Sequence, residues 1–358
     1  MNNLNNEKCA YFHYDAKVVL EDRTTKKIGY LVNNRVKANI LTLNTDTNSI
    51  EPKPILNWIH NSKAEYFIQL YSTKCEGNGR ARFACTPEQQ ILTPNGYKTV
   101  GEINVGDSIL LLIKEWQPSD IQKEIILGGL LGDGCLRRIG NEKFQYRETH
   151  CKEQDDYLLW KSSYFKVKTM GKHKRGGLYL ETFLSTTFRQ RYIDFYQGTK
   201  KHKVPKDIDI SPLVLAIWYQ DDGSFVDGDR KAIKICTNCF NEPSIEILRT
   251  FLKQRYDINT KTTIARDTEL IITLGTKETR KFFNICGEYI HPVMRYKVPV
   301  EYRSSNFIEP KRVFETKKYL IKESKILTKY IKQRTRTMER FSLETENNNF
   351  LVDGIIVK

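Results

Sequence analysis

Two stretches of the chain share one unusual pattern, an unbroken apolar run that closes on an acid and a glycine. The first is Ile126-Leu-Gly-Gly-Leu-Leu-Gly-Asp-Gly134 and the second is Leu215-Ala-Ile-Trp-Tyr-Gln-Asp-Asp-Gly223. Neither run leaves a polar face, so each is expected to form a buried helix. A carboxylate is disfavoured at the negative end of a helix dipole, so Asp133 and Asp222 call for positive charge from outside the helix. Gly128, Gly129 and Gly132 remove side chains from the first run and would let a partner helix come very close. Two such helices packed together would bring both acids to one end of their interface.

The same order of elements surrounds each run. Gln117-Pro-Ser-Asp120 offers helix-start residues ahead of Ile121 to Leu131. Cys135-Leu-Arg-Arg138 and Lys143 to His150 then read as strands joined by an Asn-containing turn. In the second of these, Lys143, Gln145, Arg147 and Thr149 share a face by the two-residue period. A helix over 153–166, a strand over 177–183 and a helix over 187–197 complete the first copy. The second copy reads as a helix over 212–222, strands near 224–228 and 231–237, and a helix over 242–255. Strands over 260–265 and 268–274 and a helix over 276–287 follow. Helix-strand-strand-helix-strand-strand-helix in the second copy, matched in the first but for one strand, implies a pseudo-twofold unit.

Outside the duplication the pattern changes to alternating short runs. Ala16 to Leu20, Asn39 to Leu43, Tyr66 to Tyr71 and Ser108 to Ile113 read as strands, and Asn95-Gly96 is a hairpin signal. The expected fold is therefore α+β. A β domain is built from residues 1–117 and 313–358, and it flanks a duplicated unit over 118–312, with repeats 118–205 and 206–312.

Composition narrows the partners. Lysine and arginine number 58 against 43 acids, a formal charge of +15, which biases the chain toward polyanions. It contains no run of 18 apolar residues, so no membrane-spanning helix is expected, and Met1 to Lys8 lacks the apolar core of a signal peptide. An intracellular protein is the expectation. The eight cysteines, at 9, 75, 85, 135, 151, 236, 239 and 286, have no disulfide-like rhythm. Cys236 and Cys239 have the spacing of half a zinc site, but no second pair follows, so small strand and turn residues are expected there.

The paired runs resemble the signature of the LAGLIDADG homing endonucleases of the single-chain type, the second in the form found in intron-encoded members. Ile217 stands where a glycine is usual. The resemblance implies a monomer that lays two curved antiparallel sheets in the DNA major groove and cuts both strands of a long, specific site. It also implies that Asp133 and Asp222 each ligate Mg²⁺ (or Mn²⁺) and each serve one strand. The backbone carbonyls of Gly132 and Asp221 would complete the metal shells, with the Asp221 side chain a weaker candidate. One basic residue per repeat stands just before a proline near the repeat's end. Lys203 and Lys297, both in Lys-Val-Pro, match that position, with Lys201 and His202 as rivals. Arg137, Arg138, Lys143, Arg147, Lys231 and Lys234 are candidate DNA contacts.

The flanks resemble the Hint fold of inteins, in Cys85 to Gly96, Val105 to Ile109 and Phe341 to Val357. The splicing residues that this resemblance calls for are replaced. Tyr11 stands at the nucleophile position, with Cys9 out of register, Gln89 and Asn348 stand at two histidine positions, and the chain ends at Lys358. The expectation is a homing endonuclease with a vestigial, splicing-inactive Hint domain. A genuine intein, an RNA-binding maturase and a plain DNA-binding regulator are the alternatives, and retention of both acids argues against the last two.

Overall fold

A computed structural model describes residues 10–358 except 74–79, 140–142, 175, 227–228, 266–268, 315 and 334–336. Cys9, Cys75 and the turn at Asn141 lie outside the described residues. The chain divides into two units, Met1–Glu115 with Lys318–Lys358, and Trp116–Lys317.

In the second unit the first repeat runs α1 (Asp120–Leu131), β1 (Cys135–Ile139), β2 (Lys143–Thr149), α2 (Asp155–Ser162), β3 (Val167–Lys172), β4 (Leu178–Thr182) and α3 (Arg189–Phe195). A two-stranded hairpin follows, β5 (Tyr196–Gln197) and β6 (Lys200–Lys201). The second repeat runs α4 (Pro212–Asp222), β7 (Gly223–Val226), β8 (Asp229–Cys236), α5 (Glu242–Tyr256), β9 (Lys261–Ala265), β10 (Glu269–Leu274) and α6 (Thr276–Cys286). Each repeat forms one four-stranded antiparallel sheet, in the orders β1-β2-β4-β3 and β7-β8-β10-β9. One apolar core runs through both repeats, with Leu130, Leu131, Leu215, Ile217 and Trp218 fully buried within it.

Local chemistry sets the helix starts. Ser119 and Gln122 form a reciprocal capping box on α1. The Ser211 hydroxyl accepts from the Val214 N–H at 3.2 Å, and Pro212 occupies the first turn of α4. The two motif helices cross where α1 lacks side chains. A methyl group on Gly128 would sit 2.6 Å from Ile217 Cβ, and one on Gly132 would sit 2.3 Å from Asp221 Cβ. Ile217 thus fills the hole left by Gly128, and the position where a glycine was expected becomes the knob of the crossing. Gly129 has another role, because a methyl there would lie 1.9 Å from the Tyr146 hydroxyl. It makes room for β2 and not for the partner helix, since it lies a quarter-turn round from Gly128.

The other unit interleaves the two chain ends in one sheet. Strand order is 25–27, 17–19, 350–352, 355–357, 108–117, 316–332, 67–73 and 80–85, with the hairpin 90–93/96–99 attached to 355–357. Val18 pairs with Val352, and Leu111 pairs with Ile355. A six-residue helix, Ile28–Asn33, interrupts the β pattern and buries Ile28, Leu31 and Val32 in the unit's core.

Candidate active site

The C-terminal ends of α1 and α4 meet the same chemistry. Lys201 Nζ donates to the carbonyl oxygens of Gly132 (2.5 Å) and Gly134 (3.1 Å). Lys297 Nζ donates to those of Gln220 (2.6 Å) and Asp221 (2.9 Å). Each ammonium caps the negative end of one motif helix and supplies the outside positive charge that the acids call for. Lys203, matched to Lys297 by its Lys-Val-Pro context, makes no such contact; its N–H donates to Phe195 O at 3.1 Å. The reason is local. Lys201 is carried by the hairpin β5/β6, whereas Lys297 ends a 3-10 turn at Pro292–Lys297, so equal spacing from the proline does not give equal position. His202 donates its N–H to Phe195 O at 2.8 Å, and its carbonyl accepts from the Asn241 N–H at 2.9 Å.

Asp133 sits just past its capped end and Asp222 is the last residue of its helix. Burial and the nearby Asp133 and Asp221 push Asp222 up to about 7, while Lys201 and Lys297 oppose the rise. The Asp222 side chain has no hydrogen bond or ion pair among the described residues. Asp133 keeps 40% of its side chain in solvent, yet desolvation raises its pKa, with His150 opposing. Burial lowers the pKa of Lys297 against the pull of all three aspartates. Two desolvated carboxylates without compensating donors are suited to a hard divalent cation.

A buried ionic cluster lies beside Asp133. Lys161, Glu148 and Asp221 have wholly buried side chains, and Lys161 Nζ contacts Glu148 Oε1 and both Asp221 oxygens (2.9 and 3.0 Å). Tyr157 donates to Asp221 (2.9 Å) and Tyr146 to Glu148 (2.5 Å). His150 Nε2 lies 2.6 Å from Glu148 Oε1, and its Nδ1 lies 2.8 Å from Gln154 Oε1 and 3.7 Å from Asp133 Oδ2. Burial works to lower the His150 pKa, but its bond to Glu148 outweighs this and raises it. Burial likewise opposes the charge on Lys161, and Asp221 and Glu148 more than restore it.

Asp133, His150 and Asp221 are close enough to share a cation. Lys161 already neutralises Asp221, however, and both ring nitrogens of His150 are engaged, so this trio is a completed ion network. The Asp221 side chain belongs to that network and does not face the metal position proposed for it. Its carbonyl and that of Gly132, named above as metal ligands, are held by lysines, and any metal would have to share their second lone pairs. The signal for the cluster lay in the strand pattern. Phe144, Tyr146, Glu148 and His150 alternate on the core face of β2, where an acid and a histidine are out of place unless paired.

Residues 123–282 match the model of the LAGLIDADG DNA endonuclease family. That segment belongs to the family. It is also 31% identical, over 96% of its length and 85% of the relative's, to Protein RecA of Mycobacterium shimoidei. To Protein RecA of Mycobacterium leprae it is 30% identical, over 96% of its own length and 51% of that protein's. Among solved structures it is similar to the homing endonuclease I-WcaI bound to its DNA recognition sequence. That match has 24% identity over 51% of this chain and 87% of that chain, with a TM-score of 0.44. A DnaB mini-intein matches with 18% identity over 32% of this chain and 68% of that chain, with a TM-score of 0.27. The fold is a LAGLIDADG unit combined with an intein-like β unit drawn from both chain ends, as the residue pattern leads one to expect.

The outer faces of the two LAGLIDADG sheets sort the candidate DNA contacts. Cys135, Arg147 and Glu181 lie side by side across β1, β2 and β4, with Arg137 paired to Gln145 on the same face. Glu181 holds Arg137 and Arg147 at 3.0 and 3.3 Å, and Arg147 also stacks 4.6 Å above the Tyr179 ring. Lys143 shares this face by the strand period. Arg138 does not, because it pairs with the buried Phe144. In the second sheet Ser224, Lys234, Thr273 and Lys261 are paired neighbours, and a groove of about 720 Å³ is lined in part by Lys234, Lys261 and Thr263. Lys231 alternates with the buried Ile233 and Ile235, so it is off this face, and it lies 3.6 Å from Glu301. Cys236 and Cys239 are free and half-buried, and among the described residues no metal-holding group includes them.

Three of the four splicing positions gather in the Hint-like unit. Tyr11 is buried; its N–H donates to the Thr86 hydroxyl (3.2 Å), and its own hydroxyl accepts from Asn61 Nδ2 (2.8 Å). Gln89, also buried, donates its N–H to Thr86 O (3.1 Å) and its amide to Lys358 O (2.6 Å). Asn348 lies apart, exposed in a turn with φ 51°.

Proposed function

We propose that this chain is a sequence-specific homing endonuclease that makes metal-dependent double-strand breaks in DNA, with a Hint-like unit that no longer splices. The observation that carries this reading is the pair of desolvated motif acids, Asp133 and Asp222, each at a helix end capped by one lysine. Bound Mg²⁺ or Mn²⁺ would neutralise the phosphate and lower the pKa of a water. Asp133 and Asp222 would hold the cations, one per strand. Lys201 and Lys297, released from part of their carbonyl contacts, would orient water or phosphate at their own centre. Arg137 and Arg147 on one sheet and Lys234 and Lys261 on the other would face the DNA, with arginine suited to guanine edges and lysine to phosphates. The single-chain duplication provides both halves of the site, which favours a monomer.

The test is selection of cleaved sites from a randomised DNA pool in Mg²⁺, followed by Asp133→Asn and Asp222→Asn on the selected target. Each variant is expected to lose double-strand cleavage while still binding. Cleavage at the wild-type rate by either variant would sink the assignment.

A genuine intein is the second reading. The chain's match fills 51% of the Mycobacterium leprae protein, which supports an element carried inside a longer host. Against it, a phenol at Tyr11 offers no thiol or aliphatic hydroxyl, and Gln89 cannot exchange a proton as histidine does. Expression with host sequence fused at both ends decides between them, because only an intein excises itself.

A further inference from the structure

The repeats correspond position by position from β2 to the following helix. Arg147 and Lys234 pair with Cys135 and Ser224, each two residues past its motif acid. Lys161 and Leu248 each lie seven residues past the helix N-caps Gln154 and Asn241. The same offset of 87 residues joins 147 to 234 and 161 to 248. At the matched positions the first repeat has Glu148, His150 and Lys161, and the second has Ile235, Thr237 and Leu248. All six are buried. One repeat has an ionic core where the other has a neutral one.

The difference extends to the helix seam. Asp221 completes the ionic core from α4, through the gap left by its counterpart Gly132, where even a methyl group would clash with it. Within the cluster, Lys161 ties Glu148 to Asp221, and His150 projects from it toward Asp133 at 3.7 Å. In the second repeat Thr237 turns its hydroxyl to Leu270 O (2.6 Å), and Asp222 has no ion-pair partner among the described residues. Replacing a buried ion network with packed apolar groups is often neutral or stabilising, and the second repeat shows that this fold tolerates the apolar version. Stability therefore does not account for the ionic one.

We propose that the Lys161–Glu148–His150 cluster is a positioning device for Asp133, which makes the first repeat the faster centre and fixes the order in which the strands are cut. His150 is the positioning residue. Its ring, held by Glu148 at one nitrogen and Gln154 at the other, stands against the Asp133 carboxylate and limits it to one orientation, and a pre-oriented group needs no rearrangement in the transition state. Asp222 has no matching ring against it and no ion-pair partner among the described residues. This inference rests on the nuclease reading.

The experiment is nicking of a selected target labelled separately on each strand. Asp133→Asn identifies the strand served by Asp133 as the one whose nick disappears, and wild type is expected to cut that strand first. His150→Thr copies the second repeat and leaves Lys161 bridging Glu148 and Asp221. It is expected to slow that strand by about tenfold and leave the other within about twofold. His150→Gln keeps a partner for Glu148 without the ring that stands against Asp133 and is expected to shift the strand ratio the same way. A metal-free readout accompanies these. The Tm change caused by Asp133→Asn is expected to differ by about 2 °C between the wild-type and His150→Thr backgrounds. Equal slowing of both strands, an unchanged ratio, or additive Tm changes would overturn the proposal. A wild type that cuts neither strand would overturn the nuclease reading instead, and the thermal coupling would still report on the contact between His150 and Asp133.

Discussion

The two repeats share a topology, a lysine-capped motif helix and an outward cation at Arg147 and Lys234, yet they solve the space behind their acids in opposite ways. The first encloses Lys161, Glu148 and His150; the second encloses Leu248, Ile235 and Thr237. Duplication conserves what the backbone needs, namely the strand order and the helix crossing, and leaves the core free to diverge as long as its charges balance. The imbalance is concentrated at the seam, where Gly132 on one helix makes room for Asp221 on the other. The asymmetry is therefore joint. The ionic core depends on a residue from the opposite repeat, so neither half could have acquired it alone.

The largest expected effect breaks that balance. Lys161→Leu imposes the second repeat's residue on the first and leaves Glu148 and Asp221 buried against each other. It should cost about 3–5 kcal/mol in denaturant unfolding. Exchanging the cluster together, as Glu148→Ile, His150→Thr, Lys161→Leu and Asp221→Asn, should return stability to within about 2 kcal/mol of wild type. A joint exchange as damaging as the single one would show that the two cores are not interchangeable. Next in size is the helix crossing. Gly128→Ala should cost about 1–3 kcal/mol by forcing Ile217 aside, and Ile217→Ala should recover part of it, measured as non-additive unfolding free energies.

Much of this comparison was legible beforehand, for identifiable reasons. Six of the seven elements of the first repeat and all seven of the second follow from apolar period and capping residues such as Ser119 and Ser211, the strand Val167–Lys172 being the one not read, and the acids are marked by their place at apolar helix ends. Lys201 was not separable from Lys203, because the hairpin that carries it is only two residues per strand and leaves no periodic trace. The buried cluster was half-visible. Glu148 and His150 alternate with Phe144 and Tyr146, but their partner Lys161 comes from a helix whose packing onto β2 is a tertiary fact. Arg138 and Lys231 were misplaced by charge alone, since the two-residue period already assigns them to the faces opposite Arg137 and Lys234.

The acids themselves offer a smaller, pH-dependent contrast. Asp222 has a pKa near 7 in the folded protein against an ordinary value of 3.8, so the folded state binds its proton more tightly than the unfolded chain does. Metal-free stability should therefore fall as pH rises from about 4 through 7 and level off above that. Asp222→Asn removes this burden, and its Tm in chelator should exceed that of wild type by more at pH 8 than at pH 5. A constant difference across that range would mean that Asp222 is not desolvated. Added Mg²⁺ should stabilise wild type most at the higher pH, where the carboxylate is free to bind it.

The smallest effects separate the faces. Arg147→Ala and Lys234→Ala occupy matched positions on the outer sheets, and each should weaken binding to a selected target by about 1–3 kcal/mol if it reads a base. A residue that meets only phosphate should instead lower the salt slope by about one and weaken all sequences alike. Arg138→Ala and Lys231→Ala, off those faces, should change binding by no more than about 0.5 kcal/mol. Fluorescence anisotropy at several salt concentrations distinguishes these outcomes. The arginine is the more informative of the matched pair. Glu181 and Tyr179 already fix its guanidinium, so its loss forfeits a group whose ordering cost was met before DNA arrives. Equal losses at both positions would show that pre-organisation at Glu181 adds nothing, and that the sheets differ in sequence but not in the energetics of recognition.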